Sequence, residues 1–172
     1  MGRSFKKISD IDLICLGKIA NIDRQNFYQR NPQTAVLYKD RLFAVALCQG
    51  GALHYLDGKN GIKDFDIYTF YVESPVRPFP YRRIGVADFG DPKFGTSDDS
   101  PNFIGRRVDL IGRSLKQADP TDPIGSIQRY LSDQRTDTAR FLSNKAVVMI
   151  EPNHLLGDIA WPNAVIRKYS SQ

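Results

Sequence analysis

Two closely spaced acidic residues carry the sharpest chemical signal in this chain. Asp64 and Asp66 flank Phe65 in the run Asp64-Phe65-Asp66-Ile67. In an extended strand, residues two apart point to the same face, so the two carboxylates stand side by side with Phe65 opposite. Like charges at that spacing repel and are costly to hold together without a cation. A third acid, Asp109, lies between Val108 and Leu110, where a carboxylate needs either a partner or an exposed strand end. Upstream, Gly50-Gly51 ends the apolar run Leu42 to Cys48.

These residues must be positioned by strands. Leu42 to Cys48 is short and continuously apolar, as a central buried strand is, and the glycine pair stops it abruptly. Ala52 to Leu56 suits a short helix closed by Gly58, and Asp57 to Gly61 has turn composition. Asp64 to Val72, rich in aromatic and β-branched residues, predicts a strand, as do Arg106 to Ile111 and Ala146 to Ile150. Helices are expected over residues 9–20, where Ile11, Ile14, Cys15 and Ile19 recur at helical spacing, and over 22–29, with Ile22 and Phe27 inward and Asn31-Pro32 as the stop. Two more are expected over 122–131, with Pro123 in the first turn, and over 136–142.

Composition bounds the rest. A chain of 172 residues with 41% hydrophobic content, 10 Phe and 8 Tyr can bury a real core as a single domain. Its net charge of +5 permits an anionic ligand without demanding one. Cys15 and Cys48, both in apolar surroundings, read as buried thiols in a reducing compartment. The N-terminus lacks a secretory pattern and no run is long enough to span a bilayer, so a cytoplasmic, membrane-free protein is expected. His54 and His154 have no metal-ligand spacing, and Asp88-Phe89-Gly90 lacks the other elements of a kinase.

Residues 74–105 form a Pro/Gly-rich insertion carrying Arg77, Arg82, Arg83 and Lys93 beside Phe79, Tyr81, Phe89 and Phe94. Basic and aromatic residues together can hold phosphates and stack on a base. The same residues can equally anchor the insertion to the domain beneath it.

An apolar run closed by Gly50-Gly51, a spacer of twelve residues (Ala52 to Lys63), Asp64-Phe65-Asp66-Ile67 and a later Val108-Asp109-Leu110 together resemble the nucleotidyltransferase superfamily of DNA polymerase beta, as a small, minimal-type member. The resemblance covers about residues 42–115. It implies an α+β fold, with a short mixed β-sheet flanked by helices on one side. Residues 1–172 would form a single nucleotidyltransferase-like domain, with N-terminal helices in 1–34 and the insertion at 74–105.

The implied activity is metal-dependent transfer of a nucleoside monophosphate from an NTP, such as ATP, to a hydroxyl of RNA, a protein or a small molecule. Asp64, Asp66 and Asp109 would be the catalytic residues and would bind two Mg²⁺ ions, with Mn²⁺ as an alternative. Such ions clamp the attacking and leaving oxygens in phosphoryl transfer, and Mg²⁺ favours carboxylate oxygens. Gly50, Gly51, Lys63, Arg82 and Arg83 would bind the nucleotide, with Arg106 and Arg107 as further phosphate contacts. The alternative is a non-catalytic nucleotide- or RNA-binding module, one half of a toxin–antitoxin or defence pair. The plainest alternative keeps all three acids as solvated surface residues.

Overall fold

Ser9 starts the first helix by a reciprocal cap. Its hydroxyl accepts from the Asp12 amide at 3.3 Å while the Asp12 carboxylate accepts from the Ser9 amide at 2.7 Å. The computed structural model describes residues 2–80 and 84–162. In it, α1 (Asp10–Arg30) runs unbroken where the sequence predicts two helices, and Pro32 at the first turn of α2 (Pro32–Tyr38) begins the next. The buried face of α1 also differs from expectation. Ile11 is 77% and Ile14 43% exposed, and Ile22 is exposed too, whereas Leu13, Leu16, Gly17 and Ala20 are buried. The capping box explains the rotation. Asp12 is turned inward by its bond to Ser9 and by Lys93, whose Nζ donates to it at 2.6 Å, and the Leu13–Leu16–Ala20 stripe follows it in.

Six strands form one mixed sheet. β1 (Leu42–Cys48) and β2 (Phe65–Val72) are antiparallel neighbours at its centre. β3 (Ile84–Asp88) and β4 (Arg107–Leu115) extend it on one side, with β4 parallel to β2 and β3 on the edge. β5 (Val147–Glu151) and β6 (Ile159–Trp161) extend it on the other, giving the order β3-β4-β2-β1-β5-β6. Between β1 and β2 lies α3 (Gln49–Asp57), closed by Gly58 in the left-handed conformation as its sequence suggests. After β4 come α4 (Pro123–Asp133) and α5 (Asp137–Ser143).

Strand alternation builds two cores. Val45, Leu47, Phe65, Ile67, Val108, Leu110, Val148 and Ile150 face α1 and α3. Ala44, Ala46, Cys48, Tyr68, Phe70, Val147 and Met149 face α4 and α5. The architecture is α+β, but helices cover both faces of the sheet rather than the one face expected. The reason lies in α4 and α5. Ile127, Leu131, Ala139 and Leu142 present an apolar face that only the second side of the sheet can cover.

The insertion is anchored by its aromatics. Phe89 and Phe94 pack against Phe65 at centroid distances of 5.3 and 5.4 Å, and Phe79 stacks on Tyr71 at 4.5 Å. Phe79 lies so close over β4 that a Cβ at Gly112 would come within 2.2 Å of its ring. These rings are therefore core, not a base-stacking platform. Arg77 is exposed, Lys93 is tied to Asp12, and Tyr81, Arg82 and Arg83 lie outside the described residues. No described helix is long and apolar enough to cross a membrane.

Candidate active site

The parallel register of β2 and β4 places Asp66 directly opposite Asp109. Paired positions on adjacent strands share a face, with strands ~4.8 Å apart. On the other flank Asp66 pairs with Cys48, the last residue of β1. The start of β2, the start of β4 and the end of β1 thus meet at one end of the sheet. Asp64 immediately precedes β2 at this end, and Gly50-Gly51 opens α3 from it. All three predicted acids and both glycines are brought to the same region.

Each carboxylate has a different environment. Ser97, in the insertion, donates its hydroxyl to Asp64 at 2.6 Å. Arg107 donates Nε to Asp109 at 2.8 Å and reaches Asp99 at 3.3 Å through Nη1. Asp66 has neither hydrogen bond nor ion pair among the described residues. Burial, then the charges of Asp109 and Asp64, push its carboxyl up to about 7, while Lys145 and Arg107 pull the other way. Beneath it the Cys48 thiol is fully buried, and burial followed by the Asp66 charge pushes it well above its ordinary value. Burial, then Cys48, raises the phenol of Tyr68, two residues along on the same face.

The two glycines have separate jobs. A Cβ at Gly51 would meet Leu47 Cδ1 at 3.1 Å and Phe65 at 3.5 Å, so this glycine lets α3 pack on β1 and β2. At Gly50 a Cβ would meet nothing within 4 Å, which leaves open space over the first turn of α3. Helix N-termini carry free amides and a positive dipole end suited to anions. Gln49 makes the turn from strand to helix with φ 60°, and its buried Nε2 has no hydrogen-bond partner among the described residues. Non-glycine residues held at positive φ tend to cluster at functional sites.

Other predicted residues fall elsewhere. Lys63 is exposed, and its described hydrogen bonds run through its carbonyl, which accepts from Ser97 at 3.4 Å and Arg106 Nη1 at 3.2 Å. Arg106, expected as a phosphate contact, is only 3% exposed. Its guanidinium instead donates to the carbonyls of Phe94 at 2.6 Å, Lys63 and Gly2 at 2.6 Å, tying the insertion and the N-terminal segment to the residue before Asp64. Arg107 holds Asp109 and not an open position. Arg82 and Arg83 lie outside the described residues.

Sequence reasoning missed Ser97, Gln49 and Lys145. Lys145 is exposed two residues ahead of Val147, the β5 residue that pairs with Cys48, and its charge acts on Asp66. A lysine in a helix-to-strand loop has no local motif, and only the pairing of β5 with β1 brings it here.

Among the described residues no three His, Cys, Asp or Glu side chains are already gathered around a common point. The donor chemistry nonetheless suits magnesium. The donors are carboxylate oxygens, and Asp66, half-buried and without a partner among the described residues, is a carboxyl whose ionisation a cation would favour. No family model, curated protein or solved structure matches the chain.

Proposed function

We propose that this protein is a metal-dependent nucleotidyltransferase that moves a nucleoside monophosphate from an NTP to an acceptor hydroxyl. The observation that carries the reading is the pairing of Asp66 with Asp109 across β2 and β4, at the sheet end where Gly50-Gly51 opens α3. Asp64, Asp66 and Asp109 would hold Mg²⁺, which when bound neutralises the phosphates and lowers the pKa of the attacking hydroxyl.

The chain's own residues then have distinct tasks. The open amides at Gly50 and the dipole of α3 receive the outer phosphates. Lys145 supplies a positive charge on the β5 side of the acids, offsetting part of the triphosphate charge. Arg107 fixes the carboxylate of Asp109, leaving its second oxygen to take the acceptor proton. The acceptor oxygen forms a bond to the α-phosphorus while the bond from that phosphorus to the bridging oxygen breaks. Pyrophosphate leaves and the proton passes to Asp109. Insertion contacts through Ser97 and Arg106 keep Asp64 in place, and the buried surface of Cys48 and Tyr68 limits water below the acids.

One observation favours the second reading, a nucleotide-binding module without turnover. Asp109 and Asp64 each already have a partner, Arg107 and Ser97. The two readings separate when α-labelled NTP is supplied with Mg²⁺ and candidate acceptors. Transfer of label lost in Asp66→Asn supports the enzyme, whereas nucleotide-dependent thermal stabilisation without transfer supports the module.

A further inference from the structure

A second concavity lies further along the strand that carries Asp109. It is bounded by the far half of β4, the C-terminal half of α4, the loop into α5 and the start of the insertion, with a volume of about 450 Å³. Pockets for ligands of nucleotide size span roughly 300–1,000 Å³. Arg113 is four residues beyond Asp109 on β4, so at ~3.3 Å per residue the two are ~13 Å apart on the same face of the strand. Ile111, half-buried against the α4–α5 core, lies between them on that face, so a ligand that reaches both must pass over it.

The lining has a consistent character. Four cations, Arg113, Lys116, Arg129 and Arg135, surround it, against two acids, Glu73 and Asp133. Both acids are engaged: Glu73 accepts from the Ser114 hydroxyl at 3.1 Å, and Asp133 lies 3.8 Å from Arg135. Arg129 in turn pairs with Asp122 at 3.4 Å, an exposed contact that an incoming phosphate would replace. Arg113 is held in place by Thr138, to which Nε donates at 3.2 Å, and by the Gly112 carbonyl, which accepts from Nη1 at 3.0 Å. Planar guanidinium groups held this way match phosphate oxygens. Tyr130, with its hydroxyl 2.8 Å from Thr136 Oγ1, adds a ring and a hydroxyl at the same wall.

We propose that this cavity receives a phosphate-bearing, nucleotide-sized group of the acceptor, held by Arg113 and Arg129 while its hydroxyl extends along β4 toward Asp109. The acceptor role rests on the transferase reading above, whereas the anion pocket stands on its own geometry. The group has two possible sources, a free nucleoside monophosphate or the terminal nucleotide of an RNA strand, and both present the same phosphate chemistry.

The test uses the full chain in EDTA, which leaves the carboxylate site without metal. Binding of AMP, UMP and a 5′-phosphorylated six-residue oligoribonucleotide is measured by calorimetry at low and moderate salt. The expected result is saturable binding of at least one probe that weakens with salt. It falls about ten-fold in Arg113→Gln and in Arg129→Gln, since charge-assisted bonds to phosphate are lost, and is unchanged in Asp66→Asn. Binding of a monophosphate identifies a free nucleotide acceptor, and binding of the oligonucleotide alone identifies an RNA end. Arg129 lies on the exposed side of α4, so its variant keeps the test valid if Arg113→Gln does not fold. No binding by any probe, or binding unaffected in Arg129→Gln and in every folded Arg113 variant, overturns the pocket. Pocket binding without label transfer from any NTP sinks the transferase reading, and the acceptor role with it, while the anion pocket stands. Transfer with an acceptor KM unchanged by Arg129→Gln sinks the acceptor role alone.

Discussion

Asp66 and Asp109 stand directly opposite each other in the parallel ladder of β2 and β4, on the face that Asp66 shares with Cys48. Forty-two intervening residues, most of them in the insertion, separate two carboxylates that the sheet makes neighbours. With Asp64 beside them they form a cluster whose charges oppose one another.

That opposition should be measurable as stability. The Asp66 carboxyl rises from 3.8 to about 7 on folding, through burial first and then Asp109 and Asp64. A carboxyl raised in this way favours the fold in its protonated form. Its contribution is therefore complete below about pH 4 and lost as pH rises through 7. At ~1.4 kcal/mol per pH unit, ionised Asp66 costs on the order of 4 kcal/mol, before local relaxation lowers the figure. Asp66→Asn should raise Tm at pH 8 in EDTA and lose that advantage near pH 4. A variant less stable than wild type at pH 8 contradicts the proposed repulsion.

Divalent cation should relieve the same strain. Mg²⁺ or Mn²⁺ at ten to a hundred times its Kd should stabilise the wild type by roughly 1–3 kcal/mol at pH 8. The effect should shrink at pH 5, where protons compete for Asp66, and disappear in Asp66→Asn. Thermal melts across pH and metal concentration check this.

The two glycines should respond differently to a methyl group. Gly51→Ala must shift Leu47 Cδ1 from contact at 3.1 Å, and should be about 1 kcal/mol less stable than Gly50→Ala in chemical denaturation, the helix-propensity gain being common to both. Gly50→Ala meets nothing within 4 Å among the described residues. It should leave Tm within about 2 °C, since changes without such clashes are usually small, but weaken NTP binding several-fold. Equal stability losses at both positions would remove Gly50 from the ligand surface.

Much of this site was legible in the sequence, and its failures have physical causes. The acids and the glycine pair stand out in the sequence because their types and spacing are local, and the sheet brings them to one end. The paired strands followed from a continuously apolar run stopped at Gly50 and from a stretch rich in aromatic and β-branched residues. The register of β2 against β4 could not be read, because a parallel pairing across an insertion leaves no local trace. Arg106 shows the opposite failure. A basic residue at a strand start looks like a phosphate contact, yet carbonyls from residues 2, 63 and 94 converge on it. The face of α1 was misjudged because Ile11 and Ile14 outweighed the inward pull on Asp12.

Arg106 and Lys145 should therefore separate structural from ligand roles. Arg106→Leu strands three carbonyls around a buried position and should cost on the order of 3 kcal/mol. Lys145→Ala removes an exposed side chain and should leave stability unchanged while raising KM for the NTP about ten-fold, with a smaller effect on kcat. Denaturation curves and steady-state kinetics on the two variants distinguish these outcomes.

The most direct measurement follows label from each of the four α-labelled NTPs, with Mg²⁺ or Mn²⁺, into total RNA, protein and small-molecule acceptors. The account predicts metal-dependent transfer from at least one NTP with release of pyrophosphate. Asp66→Asn and Asp109→Asn, each shown to be folded by circular dichroism, should reduce it at least a hundred-fold. No transfer from any of the four, or transfer undiminished in both variants, would contradict it.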